Sequence, residues 1–225
     1  MGRTQPVVHG DAAKSALKDI IVIGGGGHAR VVISILKKLQ SEIRGYTDRK
    51  TNGDVLGAVF LGRDDEIAML LTGSRNASAV IAVGQVGSGK HREDIWQRLC
   101  SLDLVFPKVI SPDAIVNEEV VVGQATVVMD GAIINTGARL GVGVIANTHA
   151  TIEHDVTLDD WVHVAPGATI SGGVRVGRCS MIGTGATVIE GRSIAEDVIV
   201  GAGATVVRDI TEPGVYVGTP ATRIR

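Results

Sequence analysis

Aromatic residues and cysteines are scarce in this sequence, which restricts the kinds of fold it can encode. Phe, Trp and Tyr make up 3% of the 225 residues, whereas glycine occurs 30 times. A core of ordinary shape usually buries several large aromatic side chains, so we expect a narrow core lined by Ile, Val and Ala. The two cysteines, Cys100 and Cys179, lie far apart, and we expect no disulfide and a reducing cytoplasm.

An excess of either charge and a long apolar run are also absent. There are 22 Lys and Arg against 24 Asp and Glu, so the composition predicts no nucleic-acid partner and no membrane-surface partner. No stretch has the length of a membrane span or the pattern of a signal segment. Residues 1–18 are predicted to form a polar, weakly structured extension.

Residues 19–106 alternate between apolar runs and segments of helical periodicity. Four-residue and five-residue apolar runs alternate with amphipathic stretches, which favours a small parallel sheet with crossover helices. The predicted strands cover 20–23, 43–47 and 79–83, and the predicted helices cover 28–39, 65–71 and 90–100. We therefore predict a Rossmann-like domain over residues 19–106.

The periodicity changes after Pro107. From Ile110 to Val206 every sixth residue is Ile, Val or Leu, with the single exception of Ala146, and small residues recur four positions later. A repeat of six residues without insertions indicates a solenoid, in which each coil buries its apolar side chains against the next. A β-sandwich would show a period of two with irregular turns. Residues 107–225 are therefore predicted to form a second domain.

This repeat resembles the left-handed parallel β-helix of the hexapeptide acyltransferases, in which three units form one triangular coil of 18 residues. The segment 213–221, with its two prolines and two glycines, is similar to the end of the repeat in that superfamily. The resemblance implies the handedness, which the periodicity alone leaves open. The predicted fold class is a small parallel α/β sheet followed by a left-handed β-helix.

Three of the six histidines, His149, His154 and His163, lie within fifteen positions of the repeat. A neutral imidazole is a suitable general base near pH 7, although a solvated surface histidine is the ordinary alternative. An 18-residue coil stacks Gly172 on His154, and it places His163, half a coil away, on the opposite side. We therefore expect a homotrimer whose active sites lie between subunits, and no direct role for His149.

Two segments of the repeat carry a more specific resemblance. The sequences Ile-Glu-His-Asp at 152–155 and Val-His-Val-Ala-Pro-Gly-Ala at 162–168 are similar to the active-site stretch of sugar acetyltransferases that act on sialic acid or on nucleotide-linked 4-amino sugars. The resemblance implies acetyl-CoA as the co-substrate. It implies His154 as the general base, Asp155 as the residue that orients it, His163 near the thioester, Gly172, Thr184 and Ala202 at the cofactor, and Asn147 near the acceptor.

A glycine turn follows the first predicted strand. Gly24, Gly26 and Ala29, with Asp48 about twenty residues on, satisfy the dinucleotide fingerprint. Too few strands precede Pro107 for an NAD-binding pair of half-domains, but a helix N-terminus also binds phosphate. The resemblance assigns the turn to the nucleotide of a nucleotide-sugar, and the residues expected to contact that substrate are Gly26, Gly27, His28, Asp48 and Arg92.

Four functions are therefore compatible with the sequence. The leading one is acetyl-CoA-dependent N-acetylation of the 4-amino group of a nucleotide-linked deoxy sugar for surface glycan synthesis. The alternatives are O-acetylation of sialic acid or a related sugar, a β-helix scaffold without activity, and a β-helix carbonic anhydrase. The last requires three histidine ligands, and His149, His154 and His163 do not form a convincing set, so no metal is expected. Thr47 and the loop 85–90 depart from the family pattern, and the resemblance implies that both lie where the preference for the nucleotide base or the sugar is set.

Overall fold

The computed structural model describes residues 17–70 and 77–225. The predicted extension at 1–18 therefore lies almost wholly outside the described residues, as does the last residue, Leu71, of one predicted helix. Within the described part of the chain, no helix is both long enough and apolar enough to cross a bilayer.

The N-terminal part is a parallel five-stranded sheet flanked by helices. Its strands run in the order β3-β2-β1-β4-β5, and Ile20 to Ile23 are inaccessible to solvent because helices cover both faces of the central strand. The strands are Ile20–Ile23 (β1), Ile43–Thr47 (β2), Phe60–Gly62 (β3), Ala77–Ile81 (β4) and Leu104–Val105 (β5). The helices are Gly27–Lys38 (α1), Ile67–Leu70 (α2) and Lys90–Leu99 (α3), with a 3-10 turn over Asp64–Glu66.

The predicted elements agree with most of these. β1 and β2 have the expected bounds, α1 begins one residue early, and β4 begins and ends two residues early. The sequence did not predict β3 or β5, because an edge strand of three residues and another of two are too short to show a period.

The C-terminal part consists of short parallel strands wound into a triangular coil. The strands are Val109–Ile110 (β6), Ile115–Val116 (β7), Val121–Val122 (β8), Val127–Val128 (β9), Ile133–Ile134 (β10), Arg139–Leu140 (β11), Ile145–Ala146 (β12), Thr151–Ile152 (β13), Thr157–Leu158 (β14), His163–Val164 (β15), Thr169–Ile170 (β16), Arg175–Val176 (β17), Met181–Ile182 (β18), Thr187–Val188 (β19), Ser193–Ile194 (β20), Val198–Val200 (β21), Thr205–Val206 (β22), Gly214–Val217 (β23) and Thr222–Arg223 (β24).

Three sheets form the three faces of this coil. We call the sheet of β6, β9, β12, β15, β18, β21, β23 and β24 the covered face, that of β7, β10, β13, β16, β19 and β22 the second face, and that of β8, β11, β14, β17 and β20 the third face. Each strand pairs in parallel with the strand 18 residues later, as Ile134 does with Ile152. The predicted fold class, a parallel sheet domain followed by a left-handed β-helix, is confirmed.

The core of the coil explains the shortage of aromatic residues. Its fully buried members are Val, Ile, Leu and Ala, stacked in columns such as Ile134, Ile152, Ile170 and Val188. Ala146, which interrupts the sequence pattern, is buried between Val128 and Val164 on the covered face. A column of small aliphatic side chains fills the narrow prism, and an indole or phenyl ring would be too large for it.

Each corner of the coil turns through a residue of left-handed backbone conformation. From residue 119 to residue 203 every sixth residue has a φ between 55° and 73°. Eight of these corner residues are glycine, the residue that adopts positive φ without strain. The others are Glu119, Ala125, His149, Asp155, Trp161, Cys179 and Asp197.

The N-terminal sheet packs on the covered face. The outward side chains of that face at Val109, Val127 and Ile145 are buried together with residues of α1 and β1. Lys38 at the end of α1 also bonds Asp113 and Asp130 at 2.7 and 2.6 Å. The other two faces carry no part of this domain in the described chain, since Thr157 and Thr169 on them are partly exposed.

Candidate active site

A cavity of about 880 Å³ opens at the carboxyl ends of β1 and β4. β1 pairs with β2 on one side and β4 on the other, so this is the point where the strand order reverses, the usual ligand site of an open parallel sheet. The lining residues include Gly24 to His28, Asp48, Arg49, Arg63 to Asp65, Ala82 to Gly84, Val86, His91, Ile95 and Arg98. Four of the five predicted substrate contacts, Gly26, Gly27, His28 and Asp48, therefore lie together.

The glycine turn places main-chain N–H groups at one wall of this cavity. The main-chain N–H of Gly25 donates to Asp48 Oδ2 at 2.9 Å, which holds the turn against β2. α1 then begins at Gly27, and the N–H groups of a first helical turn have no partner within the helix. A phosphate at this position would meet several free donors.

Three arginines and a histidine on the rim of the cavity were not predicted from the sequence. Arg49, Arg63, His91 and Arg98 all line the cavity. His91, Ile95 and Arg98 have the spacing of one face of α3, so the pattern of this helix could have indicated two of the four. Asp48, Asp64 and Asp65 line the same cavity, and Arg63 bonds Asp65 at 3.1 Å.

The glycines of the turn differ in the space that each leaves for a side chain. A Cβ on Gly25 would lie 2.3 Å from Tyr46 Cε2, whereas one on Gly27 would meet nothing within 4 Å. Gly25→Ala should lower the free energy of unfolding by about 1–3 kcal/mol because it overpacks the turn. Gly27→Ala, the matched control at the start of a helix, should be neutral or stabilising by up to about 1 kcal/mol. Urea titrations measure both, and equal effects would contradict the close approach at Gly25.

The predicted catalytic pair lies at the corner between the second and third faces. His154 Nδ1 is 3.0 Å from Asp155 Oδ2, and the hydrogen bond from the ring to this carboxylate raises the pKa of His154 above its ordinary value of 6.5. Roughly half of the His154 side chain is exposed, at 52%. If Nδ1 donates to Asp155, Nε2 keeps its lone pair and is free to accept a proton.

Gly172 lies directly against the His154 ring, as the 18-residue coil predicts. A Cβ on Gly172 would be 2.5 Å from His154 Nε2, so only glycine leaves room for the imidazole. Two carboxylates, Glu153 and Glu190, also act on the pKa of His154 by raising it. Glu153 also accepts a hydrogen bond from Asn135 Nδ2 at 2.8 Å. The sequence did not predict that Glu153 and Glu190 lie close enough to His154 to act on its pKa.

His163 and Asn147 are brought together on the other side of the coil. Nδ1 of His163 is 3.1 Å from the carbonyl oxygen of Gln85, and its Nε2 is 3.0 Å from Nδ2 of Asn147. A carbonyl only accepts, so Nδ1 carries the proton and Nε2 accepts from the Asn147 amide. Burial, with Arg92 and His28 nearby, lowers the pKa of His163 to about 3, so this ring stays neutral at physiological pH.

His28 is the buried wall of the cavity. Its Nε2 has no hydrogen-bond partner in the described part of the chain, and burial, together with the charge of Arg92, lowers its pKa to about 4. A neutral ring with an unsatisfied nitrogen can accept or donate one hydrogen bond to a bound ligand. His28 lines the cavity as expected, and its contact with a substrate stays a prediction.

Arg92 does not have the placement expected of a substrate contact. It is 2% exposed, and its guanidinium is absent from the cavity wall because it donates to Gln85 Oε1, Gly143 O and Trp161 O. The sequence assigned Arg92 to the ligand because it follows the loop 85–90, where the preference for the nucleotide or sugar was expected to be set, but in the structure its guanidinium is directed towards the coil.

The predicted cofactor residues flank the second face. Thr184 and Ala202 are exposed and stacked 18 residues apart at the corner shared with the covered face. Gly172 and His154 occupy the opposite corner. Between the two corners the outward side chains form a column of partly exposed Ile133, Thr151, Thr169, Thr187 and Thr205. In the described residues, no group of three or more His, Cys, Asp or Glu side chains is arranged to hold a metal.

The cavity and His154 lie on opposite sides of one chain. The sheet domain packs on the covered face, and the corner of His154 joins the two remaining faces, so it is the vertex opposite the covered face. The cavity therefore lies on the far side of the coil from His154 and Asp155 of the same chain. His163, on the covered face, is also separated from His154, as the half-coil spacing predicts.

Known proteins share this architecture. Residues 19–99 match the family described as PglD N-terminal domain. The acetyltransferase domain of PglB from Neisseria gonorrhoeae, in complex with acetyl coenzyme A, has 36% identity and a TM-score of 0.84 over 93% of this chain and 100% of that chain. A variant of GDP-perosamine N-acetyltransferase from Caulobacter crescentus, in complex with CoA and GDP-perosamine, has 32% identity and a TM-score of 0.87 over 95% and 100%. WeeI from Acinetobacter baumannii shares the fold at 21% identity, with a TM-score of 0.81 over 92% and 100%.

These relationships define the class of protein. The chain belongs to the hexapeptide-repeat sugar N-acetyltransferases. The family and the acetyltransferase activity predicted from the sequence are thereby confirmed. Two of the solved relatives hold acetyl coenzyme A or CoA, the co-substrate that the sequence resemblance implied.

Proposed function

We propose that this protein transfers the acetyl group of acetyl-CoA to the 4-amino group of a nucleotide-linked deoxy sugar. The observation that carries the proposal is the His154–Asp155 pair at 3.0 Å, whose second ring nitrogen faces an open corner beside Gly172. The cavity at the glycine turn supports a nucleotide as the remote part of the acceptor. In the solved perosamine relative, a nucleotide-sugar is bound together with CoA.

The residues suit direct transfer without a covalent enzyme intermediate. As the sugar amine attacks the thioester carbon, a nitrogen–carbon bond forms and His154 Nε2 accepts the amine proton. The oxyanion that develops needs a donor nearby, which the main-chain N–H of Gly172 would provide. When the carbon–sulfur bond breaks, the thiolate of CoA takes the proton back from His154. Asp155 holds the ring and stabilises its charged form.

The binding of the two substrates follows from the faces of the coil. Acetyl-CoA would lie along the second face, where Gly172, Thr184 and Ala202 flank a column of threonines, and His163 and Asn147 would approach the thioester from the covered face. The acceptor would bind with its nucleotide in the cavity through Gly26, Gly27, His28 and Asp48.

The acceptor and the base must come from different chains in this proposal. The cavity lies on the side of the prism opposite to His154, so a nucleotide-sugar that fills the cavity of one subunit reaches the corner of a neighbour. Closed symmetry with this heterologous contact gives a ring, and the three faces of the coil favour a homotrimer with three shared sites.

An acceptor panel tests the function. Purified protein is incubated with acetyl-CoA and with GDP-, UDP- and dTDP-linked 4-amino sugars, the corresponding 4-hydroxy sugars and free sialic acid, and CoA thiol release is followed. We expect release only with nucleotide-linked 4-amino sugars, and mass spectrometry should show a gain of one acetyl group. Release with sialic acid alone would replace the proposal by O-acetylation, and no release with any acceptor would overturn both.

The pH dependence of turnover provides a further prediction. A general base works in its neutral form, so kcat should rise with pH through the pKa of His154, with a midpoint above the ordinary 6.5 because Asp155 raises this pKa. Asp155→Asn removes the carboxylate and should move the midpoint to lower pH. The plateau of kcat should also fall by at least about tenfold, because the ring loses the group that fixes its tautomer.

Asn is a matched replacement at this position. Asp155 has a φ of 58°, and Asn tolerates this left-handed conformation almost as well as Gly, so the variant should fold normally. The measurement is kcat from pH 5 to pH 9 for both proteins. If the midpoint of the rise of kcat with pH is the same in Asp155→Asn as in the parent protein, the titrating group is not His154.

A further inference from the structure

The segment 85–92 follows one column of coil corners. Several of its contacts are with Gly143, Trp161, Cys179 and Asp197, which are successive corner residues 18 positions apart. Arg92 donates to the carbonyls of Gly143 and Trp161, the N–H of Gly89 donates to Cys179 O at 2.9 Å, and Ser88 and Lys90 bond the Asp197 carboxylate. A Cβ on Gly89 would lie 2.4 Å from Trp161 O, so the segment touches the coil closely.

Arg92 is the most buried charge of this contact. Its Nε donates to Gln85 Oε1 at 3.1 Å, Nη1 to Gly143 O at 2.7 Å and Nη2 to Trp161 O at 3.1 Å. Its guanidinium carbon is 5.5 Å from the centroid of the Trp161 ring. The three acceptors are neutral oxygens, and burial lowers the pKa of Arg92 to about 9. A buried charge whose acceptors include no counterion opposes stability, so the stability of the fold does not account for Arg92.

Gln85 connects Arg92 to His163. The side-chain oxygen of Gln85 accepts from Arg92, its amide donates to Gly87 O at 2.8 Å, and its main-chain carbonyl accepts the Nδ1 proton of His163. On the other side, Arg92 bonds the carbonyl of Trp161, the corner residue two positions before His163, which begins strand β15. Arg92 therefore fixes both the residue that bonds the His163 ring and the backbone from which that ring projects.

We propose that Arg92 is a positioning residue for His163. Its planar fork holds Gln85 and the Trp161 carbonyl in one arrangement, which keeps the proton of His163 on Nδ1 and leaves Nε2 as the acceptor that meets Asn147. The inference rests on the proposed role of His163 at the acetyl thioester. A guanidinium suits this task because it offers donors in a rigid plane, whereas an ammonium does not.

Two substitutions separate the geometry of Arg92 from its charge. Arg92→Lys keeps a positive charge and loses the fork, and Arg92→Met keeps the approximate length and loses both. We expect both to lower kcat by about 10- to 100-fold, since a small displacement of a group at the reacting centre costs rates of this order. The KM for the acceptor should change by less than about threefold, because the guanidinium does not line the cavity.

Lys90→Ala provides the control. Lys90 belongs to the same segment and bonds the same column of corners through Asp197 at 2.7 Å, but 61% of its side chain is exposed and it touches neither Gln85 nor His163. Its removal loosens the segment without acting on the ring, so kcat should stay within about twofold of the parent. Gln85→Ala is the second test variant if the Arg92 variants do not fold, because it breaks the connection and leaves the guanidinium in place.

The state of the ring is read directly by nuclear magnetic resonance. In the parent protein, two-bond proton–nitrogen correlations should show His163 as the Nδ1–H tautomer alone, and Arg92→Lys and Arg92→Met should show a mixture of tautomers. A ring unchanged in both variants overturns the inference, and so does an Arg92→Lys protein with parental kcat and tautomer. If the Arg92 variants do not fold, the same two readings of Gln85→Ala decide the question.

This design also separates the inference from the function on which it rests. The tautomer is measured in the protein without substrates. An acceptor panel that shows no thiol release overturns the proposed function, whereas an unchanged ring in an active set of variants overturns only the role of Arg92.

Discussion

Replacing His154 with alanine is expected to lower kcat by about 10²- to 10⁴-fold, the usual contribution of a general base. The KM for acetyl-CoA and for the acceptor should change little, since His154 acts on the proton that moves as the bond forms. The side chain lies at an exposed corner, and its loss leaves no cavity in the coil. The melting temperature should therefore stay close to that of the parent protein.

His149 offers a matched control for this experiment. It is also a histidine at an exposed corner, and its ring lies against Gly131 much as His154 lies against Gly172. Its φ is 55°, so His149→Asn is the replacement that a left-handed position tolerates. This variant should keep parental turnover. Parental kcat in His154→Ala, or an equal loss in His149→Asn, would remove His154 as the base.

Mixing two inactive variants is expected to restore activity if the site is shared between chains. His154→Ala keeps an intact cavity, and Gly27→Trp fills the cavity while keeping the base, because the position of Gly27 has open space for a side chain. Each variant alone should turn over at less than about a hundredth of the parent rate. In a trimer that contains both variants, one of the three sites joins an intact cavity to an intact base, so roughly a third of the parent activity should return.

Only rings that contain both variants can test whether the site is shared. The variants are co-expressed with different tags, and purification on both tags isolates rings that contain both chains. Double-tagged rings without activity would contradict a shared site. A monomer by light scattering that is fully active would also contradict it. Gly27→Ala in place of Gly27→Trp shows whether filling the cavity, rather than changing the glycine, caused the loss.

The regular half of this protein could be predicted from the sequence because its contacts are periodic. A side chain of the coil meets the residue 18 positions later, so counting alone placed His154 beside Gly172, and the structure agrees. The same reasoning identified the buried columns from Ile134 to Val188. The apolar run of β1 and the glycine turn were equally visible, because a central parallel strand is buried on both faces.

Contacts between the two halves have no such period and could not be predicted. Arg92 meets Gly143 and Trp161, which lie 51 and 69 residues further along the chain. Gln85 meets His163 over a separation of 78 residues. No local pattern encodes these separations, and for this reason the sequence placed Arg92 at the ligand. The rim cations Arg49 and Arg63 were missed because the loops around the short strand β3 hide their position relative to the turn.

The column of corners beneath segment 85–92 also limits how this protein can change in length. Strands of neighbouring coils lie about 4.8 Å apart, so the four corner residues from Gly143 to Asp197 extend over roughly 14 Å, three such steps. Inserting or deleting a whole coil inside this span would preserve the three faces and the core, yet it would shift one set of anchors past the other. Before this span the coil is held as well, because Lys38 bonds Asp113 and Asp130, so coils can be gained or lost only after residue 197. The sheet domain thus fixes the number of coils beneath it, and divergence in length should be confined to the C-terminal end of the coil.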